Sequence, residues 1–128
     1  MIAVLALSVV EGLLLLQDFA AVDVYIDSPK PLAAWQLEIR TDATIVGVEG
    51  GEPKPYAEPP FYDPKALQGG RIVLAAFTTD AAPPSGRIRV ARLHLRERGT
   101  STSTAHEIVA AAPGGARLDV KIELVRAK

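Results

Sequence analysis

The segment Ala21–Arg40, AVDVYIDSPKPLAAWQLEIR, contains two runs in which apolar and polar residues alternate. A period of two places successive side chains on opposite faces of a β-strand. Pro29 and Pro31 separate the runs, because proline cannot donate a hydrogen bond to a sheet. The segment therefore predicts two half-buried strands joined by a turn, with these apolar faces: Val22, Val24 and Ile26 in the first strand, and Trp35, Leu37 and Ile39 in the second.

Similar short apolar runs follow along the rest of the chain. In one of them, Arg87–Arg98, the apolar phase changes faces near Val90 and Ala91, which predicts a β-bulge. No segment after residue 20 has a helical period. About eight short strands, with turn residues every 8–12 positions or so, predict an all-β fold. We expect a single antiparallel β-sandwich of jelly-roll or Ig-like type, whose further strands are Thr44–Val48, Arg71–Thr78, Glu107–Ala112 and Arg117–Val125.

Composition narrows the range of functions. The chain has 128 residues, of which 48% are hydrophobic, and a net charge of −1. This length fits one domain, and the balance of apolar and charged residues is that of a globular protein. The absence of cysteine excludes disulfides, thiolate nucleophiles and zinc–thiolate or iron–sulfur sites. Near-neutral charge argues against a nucleic-acid partner bound through bulk positive charge.

The first residues form a separate feature. Met1–Leu16 is almost wholly apolar and is interrupted by Glu11. We favour a strand buried on both faces, and the alternatives are a degenerate export signal and a membrane helix through which the protein could associate with a membrane. The domain prediction is thus an apolar N-terminal segment over residues 1–20, as strand or helix, followed by a sandwich over residues 21–128.

Five apolar strand motifs follow one another in a fixed order: Val22–Ile26, Leu32–Ile39, Ile45–Gly50, Gly70–Phe77 and Gly86–Leu95. The order of these motifs resembles that of the cohesin and carbohydrate-binding-module class of bacterial β-sandwiches. This resemblance implies a non-catalytic recognition module of an exported protein, located outside the cell, in the periplasm or on the envelope. Its partner would be a protein, in interaction or adhesion, or alternatively a polysaccharide.

A proline-rich loop, Glu52–Gln68, is the first candidate binding site. Loops of this length are often functional, and its aromatic residues Tyr56, Phe61 and Tyr62 could contact a sugar or a peptide. The alternative is that these rings fold back and cap the sandwich. Trp35 could also stack on a sugar, but it shares its phase with Leu37, and we expect it to be a core residue.

A basic strand face is the second candidate. Arg92, His94, Arg96 and Arg98 share one face of their predicted strand and could bind an anionic polymer or an acidic partner. Alternatively, they form a solvated face or a protected edge strand. His94 and His106 are the only histidines, and neither has the spacing of a metal or triad site. We therefore expect no catalytic residue, no metal, no cofactor and no enzymatic activity.

Overall fold

A computed structural model describes residues 17–127 of the chain. This part contains seven β-strands, two short 3₁₀ turns at Lys54–Tyr56 and Pro64–Ala66, and no α-helix. The strands are β1 (Gln17–Ser28), β2 (Ala34–Thr41), β3 (Thr44–Gly50), β4 (Arg71–Phe77), β5 (Gly86–Arg98), β6 (Ser103–Ala111) and β7 (Lys121–Arg126).

The strands form two antiparallel sheets. The four-stranded sheet has the order β3-β5-β1-β7, and the three-stranded sheet has the order β4-β2-β6. The predicted all-β sandwich is confirmed, with seven strands where about eight were expected. The eighth strand was predicted within Met1–Leu16. That segment lies outside the described residues, and so do all the predictions made for it.

The core lies between the sheets and uses the predicted faces. Val24, Ile26, Leu37 and Ile39 are completely buried, as the alternating pattern predicts. Trp35 is 1% exposed, so the prediction of a core residue is confirmed. Burying the apolar face of each strand is the main force that holds two such sheets together.

The predicted bulge is present in β5. Val24 pairs with Ala91 and the next residue, Tyr25, pairs with Arg89, which leaves Val90 as the extra residue. Val90 and Ala91 are both buried, so the bulge keeps the apolar side of β5 on the core across the change of phase. The bulge also lets Arg89 and Arg92, which flank these two residues, both point away from the core.

Several strand ends differ from the predictions. β1 begins at Gln17 rather than Ala21, and β6 begins at Ser103 rather than Glu107. Backbone pairing explains both differences, because Gln17 pairs with Arg98 of β5 and Ser103 pairs with β2. Pairing with a partner strand thus outweighs the weak local preference of these polar residues for a loop.

The last strand is shorter than predicted. It begins at Lys121 rather than Arg117. The residues before it turn toward β6 instead, where Arg117 forms a single bridge with Ala111 and the Leu118 amide donates to the Ala110 carbonyl at 2.8 Å. Leu118 is buried all the same, so it contributes to the core although it lies outside the strand.

Candidate functional site

The structure separates the three aromatic residues of the proline-rich loop. Tyr56 is 2% exposed, and its hydroxyl donates to the Leu32 carbonyl at 2.6 Å. Its ring meets Trp35 edge to face, with 6.2 Å between centroids. Burial raises the pKa of Tyr56 to about 12. Tyr56 therefore caps the core, and Tyr62 is half-buried against the same core. Phe61 is the most exposed of the three rings.

Phe61 extends the three-stranded sheet by one residue. Its amide donates to the Ala75 carbonyl at 2.7 Å, and its carbonyl accepts from the Ala75 amide at 3.0 Å. Pro59 and Pro60 precede it, and proline cannot continue a ladder of hydrogen bonds. The loop thus pairs with the edge of β4 through Phe61, and this pairing fixes the position of the Phe61 backbone.

The Phe61 ring lies beside Phe77, the last residue of β4. The two rings are nearly parallel, with an interplanar angle of 12° and 6.3 Å between centroids. Phe61 is 69% exposed and Phe77 is 64% exposed. Two large apolar side chains in contact at the surface, one of them on a regular strand, form a rigid aromatic pair open to solvent.

Aliphatic residues continue this surface along the outer face of the sheet. Ile72 and Leu74 of β4 point into the core, so the alternate residues of β4 face outward. Gln36 of β2 lies between Ala75 and Val109 on this face, so its amide separates Val109 of β6 from the apolar residues of β4. We call the apolar surface on the β4 side of Gln36 the apolar patch; it consists of Phe61, Val73, Ala75 and Phe77.

A groove runs between the aromatic pair and the proline-rich loop. Its volume is about 200 Å³. Its side chains belong to proline, aliphatic and aromatic residues apart from Glu58, the one charged residue, and its accessible lining mixes polar and apolar atoms. The groove therefore offers one charged side chain to a bound molecule, and its lining consists of Pro55, Tyr56, Glu58, Pro59, Pro60, Phe61, Ala76, Phe77 and Val90.

The opposite end of the same sheet face is charged. Glu38 accepts hydrogen bonds from Arg40 Nε and from Arg71 Nε, each at 2.8 Å. These two bonds, with that from Arg40 as the larger cause, hold the pKa of Glu38 below its ordinary value. The outer face thus changes from apolar at Phe77 to charged at Arg71 over the length of β4.

The predicted basic face lies on the other sheet, and β5 is an interior strand there. The alternative of a protected edge strand is therefore wrong. Arg92 donates to both carboxylate oxygens of Asp23, at 2.6 and 3.2 Å, and these bonds are the main cause that lowers the pKa of Asp23. His94 Nε2 lies 2.9 Å from Glu49. Much of the charge on this face is thus neutralised by neighbouring acids.

One ion pair of a buried acid with a half-exposed arginine was not predicted from the sequence. Glu97 is buried and accepts from Arg126 of β7, at 3.1 Å from Nη1, and from the Ser101 amide at the same distance. These bonds, with that from Arg126 first, lower the pKa of Glu97 to about 2. The signal was present, because Glu97 follows Leu93 and Leu95 on the inward phase of β5.

We expect the Glu97 pair to make stability depend on acid pH. The pKa of Glu97 is about 2 in the folded protein, against an ordinary value of 4.5. A carboxylate whose pKa is lower in the folded than in the unfolded protein stabilises the folded state. This contribution is complete above pH 4.5 and is lost as the pH falls toward 2. Thermal melts between pH 7 and pH 2 should therefore show a smaller loss of melting temperature for Glu97→Gln than for the unchanged protein.

The control for this experiment is Glu58→Gln, an exposed position whose carboxylate forms no ion pair with another described residue. Its melting temperature should follow that of the unchanged protein at every pH. Parallel profiles for Glu97→Gln and the unchanged protein would contradict the assignment of the acid sensitivity to Glu97.

The two histidines do not form a common site. His94 and His106 lie on different sheets. Among residues 17–127 no three His, Asp or Glu side chains are grouped so that they could hold a metal ion. No helix in that range is long and apolar enough to cross a membrane.

Comparison with protein-family models, curated proteins and solved structures finds no match to this chain. The resemblance to cohesin-like and carbohydrate-binding sandwiches therefore stays a prediction. The surface of the molecule itself is the main guide to its function.

Proposed function

We propose that this domain is a non-catalytic recognition module that binds a protein partner through the apolar patch. The observation that carries the proposal is the exposed pair of Phe61 and Phe77 on the edge of a sheet. Aromatic residues dominate the binding energy of protein interfaces. Contiguous apolar surface on a soluble domain marks interaction sites more often than chance.

The backbone supports this role by fixing the aromatic pair before binding. Phe77 is held by the pairing of β4 with Ala34 of β2, and Phe61 is held by two hydrogen bonds to Ala75. A surface that is already ordered loses little conformational entropy when a partner docks. The charged end of the same face, at Arg40 and Arg71, would then fix the orientation of the partner through polar contacts.

A polysaccharide is the alternative ligand, because sugar rings stack on aromatic side chains. Sugars also need hydrogen-bonding side chains beside the stacking ring, since their hydroxyl groups must stay satisfied on binding. The groove next to Phe61 and Phe77 is lined by proline, aliphatic and aromatic residues, with Glu58 as its one charged side chain. Gln36 is in register with Ala75 and Phe61 on the same sheet face. This small number of hydrogen-bonding side chains favours a protein with an apolar surface as the partner.

The cellular location is also part of the proposal. The order of strand motifs resembles that of modules from exported bacterial proteins, which supports a role outside the cell, in the periplasm or on the envelope. On this proposal the module has no catalytic residue and acts by holding two proteins together.

The test is site-specific photo-crosslinking in the cells that naturally produce the protein. A photoreactive phenylalanine analogue is placed at Phe77, and in a control chain at Lys121, an exposed position on the other sheet. We expect a discrete protein adduct from position 77 and none from position 121. Adding Phe61→Ser to the chain that carries the analogue at position 77 should lower the adduct yield at least about 10-fold. One central aromatic residue contributes about 2 kcal/mol or more to the binding free energy of a protein interface.

A glycan array with the unchanged protein separates the two ligand classes. Binding to a polysaccharide that is lost in Phe61→Ser, with no protein adduct from position 77, would favour the carbohydrate alternative. Equal adducts from positions 77 and 121 would overturn the apolar patch as the binding site. Because Phe61 and Phe77 are exposed, serine at either position should leave the melting temperature nearly unchanged.

A further inference from the structure

A second exposed aromatic residue lies on the four-stranded sheet. Phe19 of β1 is 78% exposed and pairs with Arg96 of β5 on the outer face of this sheet. Arg98, two residues further along β5, is exposed on the same side. We call Phe19, Arg96 and Arg98 the basic corner. It lies on the opposite sheet from the apolar patch, so the proposed protein site does not account for it.

The residues of β1 that pair with the basic residues of β5 change from acidic to uncharged along the two strands. Near the bulge, β1 presents acids to the arginines, as in the pairing of Asp23 with Arg92. Toward the end of β5, β1 presents Ala21 and Phe19 instead. The arginine charge therefore loses its acidic partners as the strand approaches the basic corner.

The hydrogen bonds follow this change. Arg87, Arg89 and Arg92 each form an ion pair with a carboxylate. Within residues 17–127, neither Arg96 nor Arg98 forms one. Arg96 donates instead to the Gln68 side chain at 3.2 Å.

The neighbours of the basic corner are mostly uncharged. Thr44 of β3 is the other cross-strand neighbour of Arg96. The adjacent acid Glu97 points inward and is neutralised by Arg126. Asp18 is the one exposed carboxylate next to Phe19. Two guanidinium groups beside a bare aromatic ring thus leave the corner with a positive charge.

The chain that enters β1 at this corner is the apolar stretch Met1–Leu16. Phe19 follows Leu16 by three residues, so the apolar stretch and the basic corner are neighbours along the chain. Sixteen nearly apolar residues favour lipid or a protein interior over water. A lipid surface next to this stretch would therefore also be next to the basic corner.

We propose that the basic corner rests on an anionic lipid surface. Phenylalanine enters the boundary between headgroups and acyl chains, and guanidinium groups bind lipid phosphates through paired hydrogen bonds. Each arginine near an anionic membrane contributes about 1 kcal/mol. An apolar segment and a small basic cluster together provide the two signals that stable peripheral binding needs.

The test measures partition of the full chain onto vesicles of phosphatidylcholine with and without phosphatidylglycerol. We expect stronger binding when the anionic lipid is present, and weaker binding as salt is raised. Arg96→Gln with Arg98→Gln should lower affinity for the anionic vesicles about 25-fold, which corresponds to about 1 kcal/mol for each arginine. The same variant should bind neutral vesicles as the unchanged chain does.

The matched control is Lys30→Gln with Arg117→Gln, which removes the same charge from exposed positions at the other end of the fold that form no ion pair with another described residue. It should keep the binding of the unchanged chain to within about twofold. Phe19→Ser should weaken binding to both kinds of vesicle, because it removes an apolar contact rather than a charge. Equal losses for the two double variants, or binding that does not depend on phosphatidylglycerol, would overturn the proposal and leave the crosslinking at Phe77 unaffected.

Discussion

Replacing Trp35 by alanine is expected to cost about 3–5 kcal/mol of the free energy of unfolding, which is the usual range for a fully buried large aromatic residue. Trp35 lies near the start of β2, the middle strand of its sheet, and is 1% exposed. Its removal also takes away the edge-to-face contact that holds Tyr56 over the core. Urea unfolding, followed at equilibrium, measures the change as a lower midpoint with an unchanged slope.

Trp35→Phe is the matched control for this experiment. The Trp35 indole Nε1 is buried and has no hydrogen-bond acceptor among the described residues. Phenylalanine keeps most of the aromatic packing and removes that N–H group, so the two effects partly offset each other, and we expect a loss of about 1 kcal/mol. Equal midpoints for Trp35→Ala and the unchanged protein would show that the ring contributes nothing to the core.

The alternating strands could be predicted because their signal is local. In Ala21–Arg40 each apolar residue that the period of two assigns to the inward face of a strand is buried. The bulge at Val90 could be predicted for the same reason, since one extra residue in a strand is enough to move the apolar phase to the other face. Strand ends such as Ser103 could not, because they depend on a partner strand that is distant in sequence.

The candidate site could be predicted only in part. The proline-rich loop was identified, but the direction of each ring depends on long-range contacts. Tyr56 turns inward because the Leu32 carbonyl, 24 residues earlier, accepts from its hydroxyl. Phe61 turns outward because Ala75 fixes its backbone. Phe77 was missed, although it lies within the predicted strand Arg71–Thr78, on the outward phase.

The charge of the basic face could also be predicted only in part, because it depends on contacts with other strands. Arg92 and His94 share a face, as the period of β5 predicts. The acids that neutralise them, Asp23 and Glu49, lie on two other strands, and the sequence does not show which residues face each other across a sheet. Pairing therefore turns a row of four basic positions into a neutralised region and a small basic corner.

The connection between β3 and the proline-rich loop leads to the second large prediction. A Cβ atom added at Gly51 would lie well inside van der Waals contact with the Arg89 carbonyl oxygen and 2.8 Å from the Val90 Cα. Both are backbone atoms of β5, so no side chain can move to make room. Gly51 also donates to the Tyr56 carbonyl at 2.6 Å, and the next amide donates to Arg89 at 3.0 Å. Only glycine permits this close approach.

We therefore expect Gly51→Ala to cost about 3 kcal/mol or more, at the upper end of the range for overpacking. The loop would have to leave β5, and Tyr56 would be withdrawn from its place over Trp35. Gly47→Ala is the matched control, because its added Cβ would lie 3.7 Å from the His94 Cβ, an ordinary contact. Alanine in that strand should change stability by less than about 1 kcal/mol.

Both glycine variants are measured by urea unfolding. Equal midpoints for them would show that the loop can move away from β5 at no cost, and the rigid support proposed for the aromatic pair would then be wrong. If Gly51→Ala is destabilised as expected, the clamp on β5 also holds the position of Phe61, because the same loop continues from Tyr56 to the bridge with Ala75. In chains that still fold, the adduct from position 77 should then weaken in Gly51→Ala and persist in Gly47→Ala.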